Sequence, residues 1–276
     1  MSSKMYFEVR VNTVPGLDHN IIIARLGTIG FDGFIEEDDH VLAYKLKAGE
    51  EDADIRKALS LAGLQLADLN TIEDQNWNET WESDYQPVML GNEIMVRAPF
   101  HQAIPGVEYD IVIEPKMAFG TAHHETTEQM LVMIKGMDIR GKRVLDMGCG
   151  TAVLAILAAK MGAETVLAID NDEWAYRNSI DNIKLNQDVK VDVLHGDAAL
   201  LENREFDIII ANINRNILLE DIPRYSATLI KDGQLLMSGF YHEDLPLIEE
   251  KATASGLKLL STSVKNNWMA ACFVRN

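Results

Sequence analysis

None of the three broad segments of this 276-residue chain carries a surplus of lysine and arginine. Twenty-five basic side chains stand against 43 acidic ones, a formal charge of −18, and the deficit is spread as −5 over residues 1–70, −5 over 71–100 and −8 over 101–276. A protein that draws its affinity from phosphate contacts needs a cationic face somewhere. Direct dependence on nucleic acid is therefore not expected, and an acidic surface suits a basic partner. Cysteine is almost absent: Cys149 and Cys272 form no metal-binding or disulfide spacing and read as two buried thiols. No apolar run approaches the roughly 20 residues of a membrane span, and Met1-Ser2-Ser3-Lys4 leads straight into an alternating pattern rather than a signal sequence. The expectation is a cytoplasmic protein without membrane contact. Internal repeats and low-complexity tracts are missing too, while 47% hydrophobic content suffices for a packed core. The length suits one large or two modest domains.

A missing glycine narrows the most informative stretch, Val144-Leu145-Asp146-Met147-Gly148-Cys149-Gly150-Thr151-Ala152-Val153. Here a short apolar strand passes through two glycines into an apolar helix, Leu154 to Met161. Gly148 and Gly150 permit a tight turn and close approach of backbone to a ligand, and the helix N-terminus adds unpaired N–H groups. An acidic residue about 20 positions on, at the end of the next strand, is placed to accept hydrogen bonds from ribose hydroxyls. Asp170 closes the strand Thr165 to Ile169 there. The dinucleotide fingerprint requires glycine at position 153, where this chain has Val153, so a pyrophosphate is disfavoured. Asp146 at the strand end would repel phosphate and pair with a cation. S-adenosylmethionine, with an ammonium, a sulfonium and no phosphate, fits those terms. An ordinary tight turn is the competing reading.

Along the chain, residues 5–11, 18–26, 33–36, 41–46, 52–62 and 69–72 read as strand, helix, two strands, helix and strand. That is the β-α-β-β-α-β order of a ferredoxin-like domain, expected over residues 1–72. Residues 73–92 read as an acidic linker with Trp77 and Trp81 on one helical face. Residues 93–276 then alternate strands and helices through Val189 to Leu194, Phe206 to Asn212 and Gln234 to Gly239. They end in a hairpin around Asn266-Asn267. The expected fold class is α/β, a mainly parallel Rossmann-like sheet with a C-terminal antiparallel hairpin, preceded by the α+β domain. Ligands of such sheets sit at the carboxyl ends of strands, where Gly148, Asp170, Asp197 and Asn212 all fall. Asp197 is placed to hydrogen-bond adenine, and Asn212 to offer an acceptor to a reacting amine.

The second distinctive stretch is Ala118-Phe119-Gly120-Thr121-Ala122-His123-His124-Glu125-Thr126-Thr127, just before a helix. Adjacent histidines lack the spacing and partners of a metal site, so no metal is expected. A histidine and threonines capping the helix is the plain structural alternative.

Taken together, this stretch, the Asp-Met-Gly-Cys-Gly-Thr loop with Leu154-Ala155-Ile156, and Ala211-Asn212-Ile213 resemble the bacterial ribosomal protein L11 methyltransferase family over the whole chain. The resemblance implies a ferredoxin-type substrate-recognition domain, a linker and a class I S-adenosylmethionine-dependent domain. It implies cofactor contacts at Thr127, Gly148, Asp170 and Asn212, with Phe119, Gly120 and His124 lining the site. It also implies ribosomal protein L11, a basic protein, as the partner. The family usually has glycine where this chain has Ala122 and Ala152; if either position needs positive φ, the methyl is strained there.

The implied reaction is attack of an amine on the S-methyl carbon, for which alignment counts more than a strong base. The amine has to be neutral; lysine titrates near 10.4 and an α-amine near about 7.7 to 8.0, so lysine needs more help from its surroundings. Asn212 is expected to orient the amine, with Thr127 and His124 shaping the pocket. One rival is a nucleic-acid adenine methyltransferase, but Asn212 is followed by Ile213-Asn214-Arg215 rather than by prolines and an aromatic ring. The other is a cofactor-binding protein whose catalysis has decayed. Oligomeric state and the identity of the methylated amines stay open.

Overall fold

The computed structural model describes residues 5–13, 19–37, 39–73, 85–114 and 122–276, and the chain divides between Asp84 and Tyr85 into two compact units. Phe119, Gly120, Trp77 and Trp81 lie outside the described residues.

The first unit runs β1 (Met5–Asn12), α1 (His19–Thr28), β2 (Gly33–Glu37), β3 (His40–Leu46), α2 (Asp52–Leu61) and β4 (Leu66–Glu73). Its sheet has the order β2-β3-β1-β4 with every neighbouring pair antiparallel. Alternation along β1 sends Phe7, Val9 and Val11 to the side where Ile22 and Leu26 of α1 and Ile55 and Leu59 of α2 pack. This is the ferredoxin-like arrangement.

In the second unit, β5 (Val88–Leu90), β6 (Ile94–Arg97) and β7 (Tyr109–Val112) form a small mixed sheet. Residues 88–90, read from sequence as linker, pair as β5 with β6. The rest alternates: α3 (Glu125–Lys135), β8 (Arg143–Met147), α4 (Val153–Lys160), β9 (Thr165–Asp170), α5 (Glu173–Leu185), β10 (Asp192–His195), β11 (Phe206–Asn212), α6 (Arg215–Thr228), β12 (Leu229–Tyr241), α7 (Leu245–Ala254), β13 (Leu257–Lys265) and β14 (Trp268–Arg275). The seven strands lie in the order β10-β9-β8-β11-β12-β14-β13, parallel except where β14 runs antiparallel to β12 and β13. Both faces are covered, which explains why the central strands are apolar without alternation. In β11, Ile208 and Ile210 enter the core with α3 and α4, while Ile209 and Ala211 enter the core with α6 and α7. Among the described residues no helix is long and apolar enough to cross a membrane.

The β13–β14 hairpin turns on Asn266 and Asn267, both at positive φ (46° and 70°). It is pinned to the first turn of α3 by Asn266 Nδ2 donating to Glu125 Oε1 at 3.0 Å and by the Lys265–Glu128 ion pair. Gln129 Nε2 donates to the Trp268 carbonyl at 3.2 Å, fixing the start of β14.

Ala122 and Ala152 both have left-handed backbone, φ 66° and 64°, and both are fully buried. The strain of a Cβ there is about 1–2 kcal/mol. Opposing it, a buried methyl contributes about 0.8 kcal/mol, and glycine loses about 0.5–1 kcal/mol more conformational entropy on folding than alanine. The terms nearly cancel, which accounts for alanine at a position suited to glycine. Ala152→Gly should therefore leave the urea unfolding free energy within about 1 kcal/mol of the parent. A loss of more than about 2 kcal/mol would show that the methyl's packing, not the backbone, dominates.

Candidate functional site

A cleft of about 590 Å³ opens along the carboxyl edge of the seven-stranded sheet. It crosses the ends of β8, β9, β11 and β12, and its wall includes Gly148, Gly150, Asp170, Asn212 and Gly239. His124, Thr126, Thr127 and Trp268 close one end, and Asn171, Asp172, Trp174 and Ala175 the other. Among the described residues that line it, none is lysine or arginine.

The glycine loop is built from alternate left-handed residues, Gly148 (φ 70°), Gly150 (φ 54°) and Ala152. Gly148 and Cys149 donate their N–H groups to the Ile169 carbonyl at 2.8 and 3.1 Å, tying the loop to β9. A Cβ on Gly148 would lie 2.2 Å from Ile213 Cγ2, so this glycine is required by contact as well as by φ. Cys149 lines the cleft, yet burial raises its thiol well above the usual value, so it stays protonated and unreactive.

Asp170 ends β9 with its carboxylate already oriented. Oδ2 accepts the Gly150 N–H at 2.8 Å and Oδ1 accepts the Asp172 N–H at 2.9 Å. Each oxygen keeps lone pairs for a further donor, as the two hydroxyls of a ribose would require. Asp172 caps α5 by accepting from the Ala175 N–H at 2.8 Å, which fixes the turn next to it.

At the opposite end, His124 is the N-cap of α3. Its Nδ1 accepts the Thr126 N–H at 3.3 Å and lies 2.8 Å from the Thr126 hydroxyl, so the proton of the neutral ring belongs on Nε2. The capping alternative thus describes this histidine, which also lines the cleft. Thr127, buried one residue on, accepts from Asn212 Nδ2 at 3.3 Å. With the amide nitrogen so engaged, Asn212 Oδ1 remains as an acceptor at the cleft wall. Trp268 stands beside His124, ring centroids 4.9 Å apart, and leans on Tyr241 at 4.3 Å.

Two residues expected at the ligand are not among those that line the cleft. Asp146, expected to face a cationic ligand, does not reach the cleft. Strand alternation turns it toward α4, where it is fully buried and accepts the Ala155 N–H at 3.0 Å. Ala152 has no side chain to cap α4, and Asp146 supplies the missing acceptor from the neighbouring strand. Burial, with the Asp170 charge adding to it, pushes the Asp146 carboxyl up to about 7. Asp197, expected at adenine, is exposed, caps the short 3-10 turn Ala198–Leu201 by accepting from Ala199 N–H at 2.8 Å, and is not part of the cleft wall. Conversely, the sequence assigned no role to Trp174 or Trp268, and it named Ile213 and Gly239 only within a motif and a strand, without a place in the cleft. Gly239 carried a detectable signal as a lone glycine closing an apolar strand; the aromatics carried none. No cluster of three His, Cys, Asp or Glu side chains arranged for a metal occurs among the described residues.

This geometry fits S-adenosylmethionine: a carboxylate with lone pairs left for the ribose, a glycine turn at the carboxyl edge of the sheet, and, among the described residues lining the cleft, no side-chain cation to hold phosphate. Comparison with known proteins agrees. The family model described as ribosomal protein L11 methyltransferase (PrmA) matches residues 30–276. A ribosomal protein L11 methyltransferase of Phocaeicola vulgatus is 43% identical over 98% of this chain and 99% of its own length. One of Porphyromonas gingivalis is 46% identical over 92% of this chain and 90% of its own. The crystal structure of ribosomal protein L11 methylase from Lactobacillus delbrueckii subsp. bulgaricus is similar with a TM-score of 0.65 at 27% identity, covering 69% of this chain and 99% of that one.

The raised Asp146 carboxyl predicts a pH effect of definite sign. Its folded value near 7 exceeds the roughly 3.9 of an unfolded aspartate, so folding favours the protonated form. Stability from this source is full below about pH 4 and is lost as pH rises to about 7. Asp146→Asn removes that loss while keeping an acceptor for Ala155. Between pH 5 and 8 the variant should gain about 2 kcal/mol relative to the parent in chemical denaturation. A difference independent of pH would contradict the buried, protonated assignment.

Proposed function

The chain belongs to the ribosomal protein L11 methyltransferase family, and from that premise we propose that it transfers methyl groups from S-adenosylmethionine to amines of ribosomal protein L11. The observation that carries the transfer step is the Asn212–Thr127 hydrogen bond, which commits the amide nitrogen and leaves Oδ1 to accept from an entering amine. S-adenosylmethionine, when bound, supplies an electrophilic methyl group on a good leaving group. Asp170 and the Gly148–Gly150 backbone would hold its ribose and the adjoining chain. Asn212 Oδ1 then accepts one N–H of the neutral amine and aims its lone pair along the axis of displacement. Trp268, packed against His124, limits water at this end of the cleft, and that desolvation lowers an amine's pKa and favours the neutral nucleophile. No general base is required at the moment of attack; the proton leaves afterwards to water.

In this reading the first unit recognises the protein substrate, since every described residue that lines the cleft belongs to the second unit. The acidic surface, −18 overall, favours a basic protein over nucleic acid and is compatible with a cytoplasmic setting.

The test uses the intact chain with methyl-labelled S-adenosylmethionine, offering purified ribosomal protein L11, other ribosomal proteins and ribosomal RNA in parallel. Label is expected in amines of L11. Asn212→Ala should reduce transfer by about 100-fold, near 3 kcal/mol of transition-state stabilisation, with the cofactor Kd changed by less than about threefold. Label in RNA, or none in L11, contradicts the proposal; equal losses in binding and transfer reassign Asn212 to cofactor binding alone.

A further inference from the structure

The cleft has a tryptophan at each end, and the two are held differently. Trp268 is packed between Tyr241 and His124 at the transfer end. Trp174, in the first turn of α5, is 80% exposed and has no ring contact among the described residues, although it lines the same cleft. Its backbone is nevertheless fixed. Asp172 caps the helix one turn below, Asp170 accepts the Asp172 N–H, and the Asn171 carbonyl lies 3.1 Å from His195 Nε2 as its acceptor. The chain thus presents a large indole on a rigid mount and leaves it uncovered. An indole standing in the cleft wall offers its π face to whatever occupies the cleft.

Direction along the cleft says what that is. The carboxylate at Asp170 takes the ribose, and the reacting methyl has to reach Asn212, on the far side of the glycine loop. The base, attached to the ribose at the end opposite the methionine chain, is therefore directed away from Asn212, toward the wall formed by Asn171, Asp172 and Trp174. The geometry points to Trp174 as the residue that covers the adenosine end of the cofactor, stacking its indole on the purine and making cofactor affinity depend on an aromatic side chain at this position. Every nucleobase offers a π face, so the contact supplies affinity without reading base edges. The inference rests on the assignment of S-adenosylmethionine to the cleft and is independent of which protein is methylated.

Calorimetric titration of the parent, Trp174→Ala and Trp174→Phe with S-adenosylhomocysteine and with 5′-methylthioadenosine tests it, with circular dichroism to verify folding. Trp174→Ala should weaken both ligands by about tenfold or more, and Trp174→Phe should restore most of the loss. Because methylthioadenosine lacks the amino-acid end, a similar loss for both ligands places the contact at the adenosine. Intrinsic fluorescence of the parent should change on titration with S-adenosylhomocysteine, and most of that change should vanish in Trp174→Phe. In steady state the variants should raise the KM for S-adenosylmethionine with little effect on kcat. If the parent binds S-adenosylhomocysteine and folded Trp174→Ala binds it equally well, the stacking role is wrong while the cofactor assignment stands. If the parent itself fails to bind, the cofactor assignment falls and this inference with it.

Discussion

Ile213 is wedged where three strands end, and the order of the transfer site follows from how little room it has. A Cβ on Gly148, at the end of β8, would sit 2.2 Å from its Cγ2, and a Cβ on Gly239, in β12, would sit 2.2 Å from its carbonyl oxygen. Both glycines have positive φ, 70° and 92°, and the β12–β14 register shifts beside Gly239. The backbone after β11 is thereby pinned by atoms rather than by a flexible loop. Asn212, immediately before the wedge, is held within reach of Thr127 and of the cleft. A residue that must align an amine within a few tenths of an ångström gains from such support.

The cofactor end follows a different rule, in which buried carboxylates organise N–H groups. Asp146 satisfies α4 from below, and Asp170 satisfies Gly150 and Asp172 from beside it. Two acidic strand ends thus stabilise one glycine turn, the first sealed from solvent with its carboxyl pushed up to about 7, the second with capacity to spare for a ligand. The similar sequence surroundings of these two aspartates conceal their division of labour. It depends on which face of the sheet each side chain enters.

That is also the limit of what the residues disclosed. Strand positions, the sheet class, the hairpin on Asn266-Asn267 and the clustering of Gly148, Asp170 and Asn212 were legible because they follow from period, turn chemistry and strand-end placement. The mixed sheet β5-β6-β7 was legible only in part, since Val88–Leu90 is too short for a pattern and is defined by its pairing. Asp197 caps its own turn, a role the sequence did not distinguish from a ligand contact because the same short acidic side chain serves both. Trp268 and Trp174 gave no warning, because ring placement in the cleft depends on the docking of the hairpin against α3 and on the capping of α5, both tertiary facts. Ala122 and Ala152 show the converse. The strain anticipated from family glycines is present in the backbone angles, and it is balanced by the burial of the methyl groups.

On the proposed mechanism, transfer depends on the wedge at Ile213 holding Asn212, separately from cofactor binding at Asp170. Gly239→Ala addresses it most directly, because the added methyl would press on the Ile213 carbonyl, while no atom of the Asp170 carboxylate or its hydrogen-bond partners is displaced. Comparing single-turnover methyl transfer with calorimetric binding of S-adenosylhomocysteine in the folded variant should show transfer reduced by about 100-fold and binding within about threefold of the parent. Transfer at the parental rate in a folded Gly239→Ala protein would contradict the account.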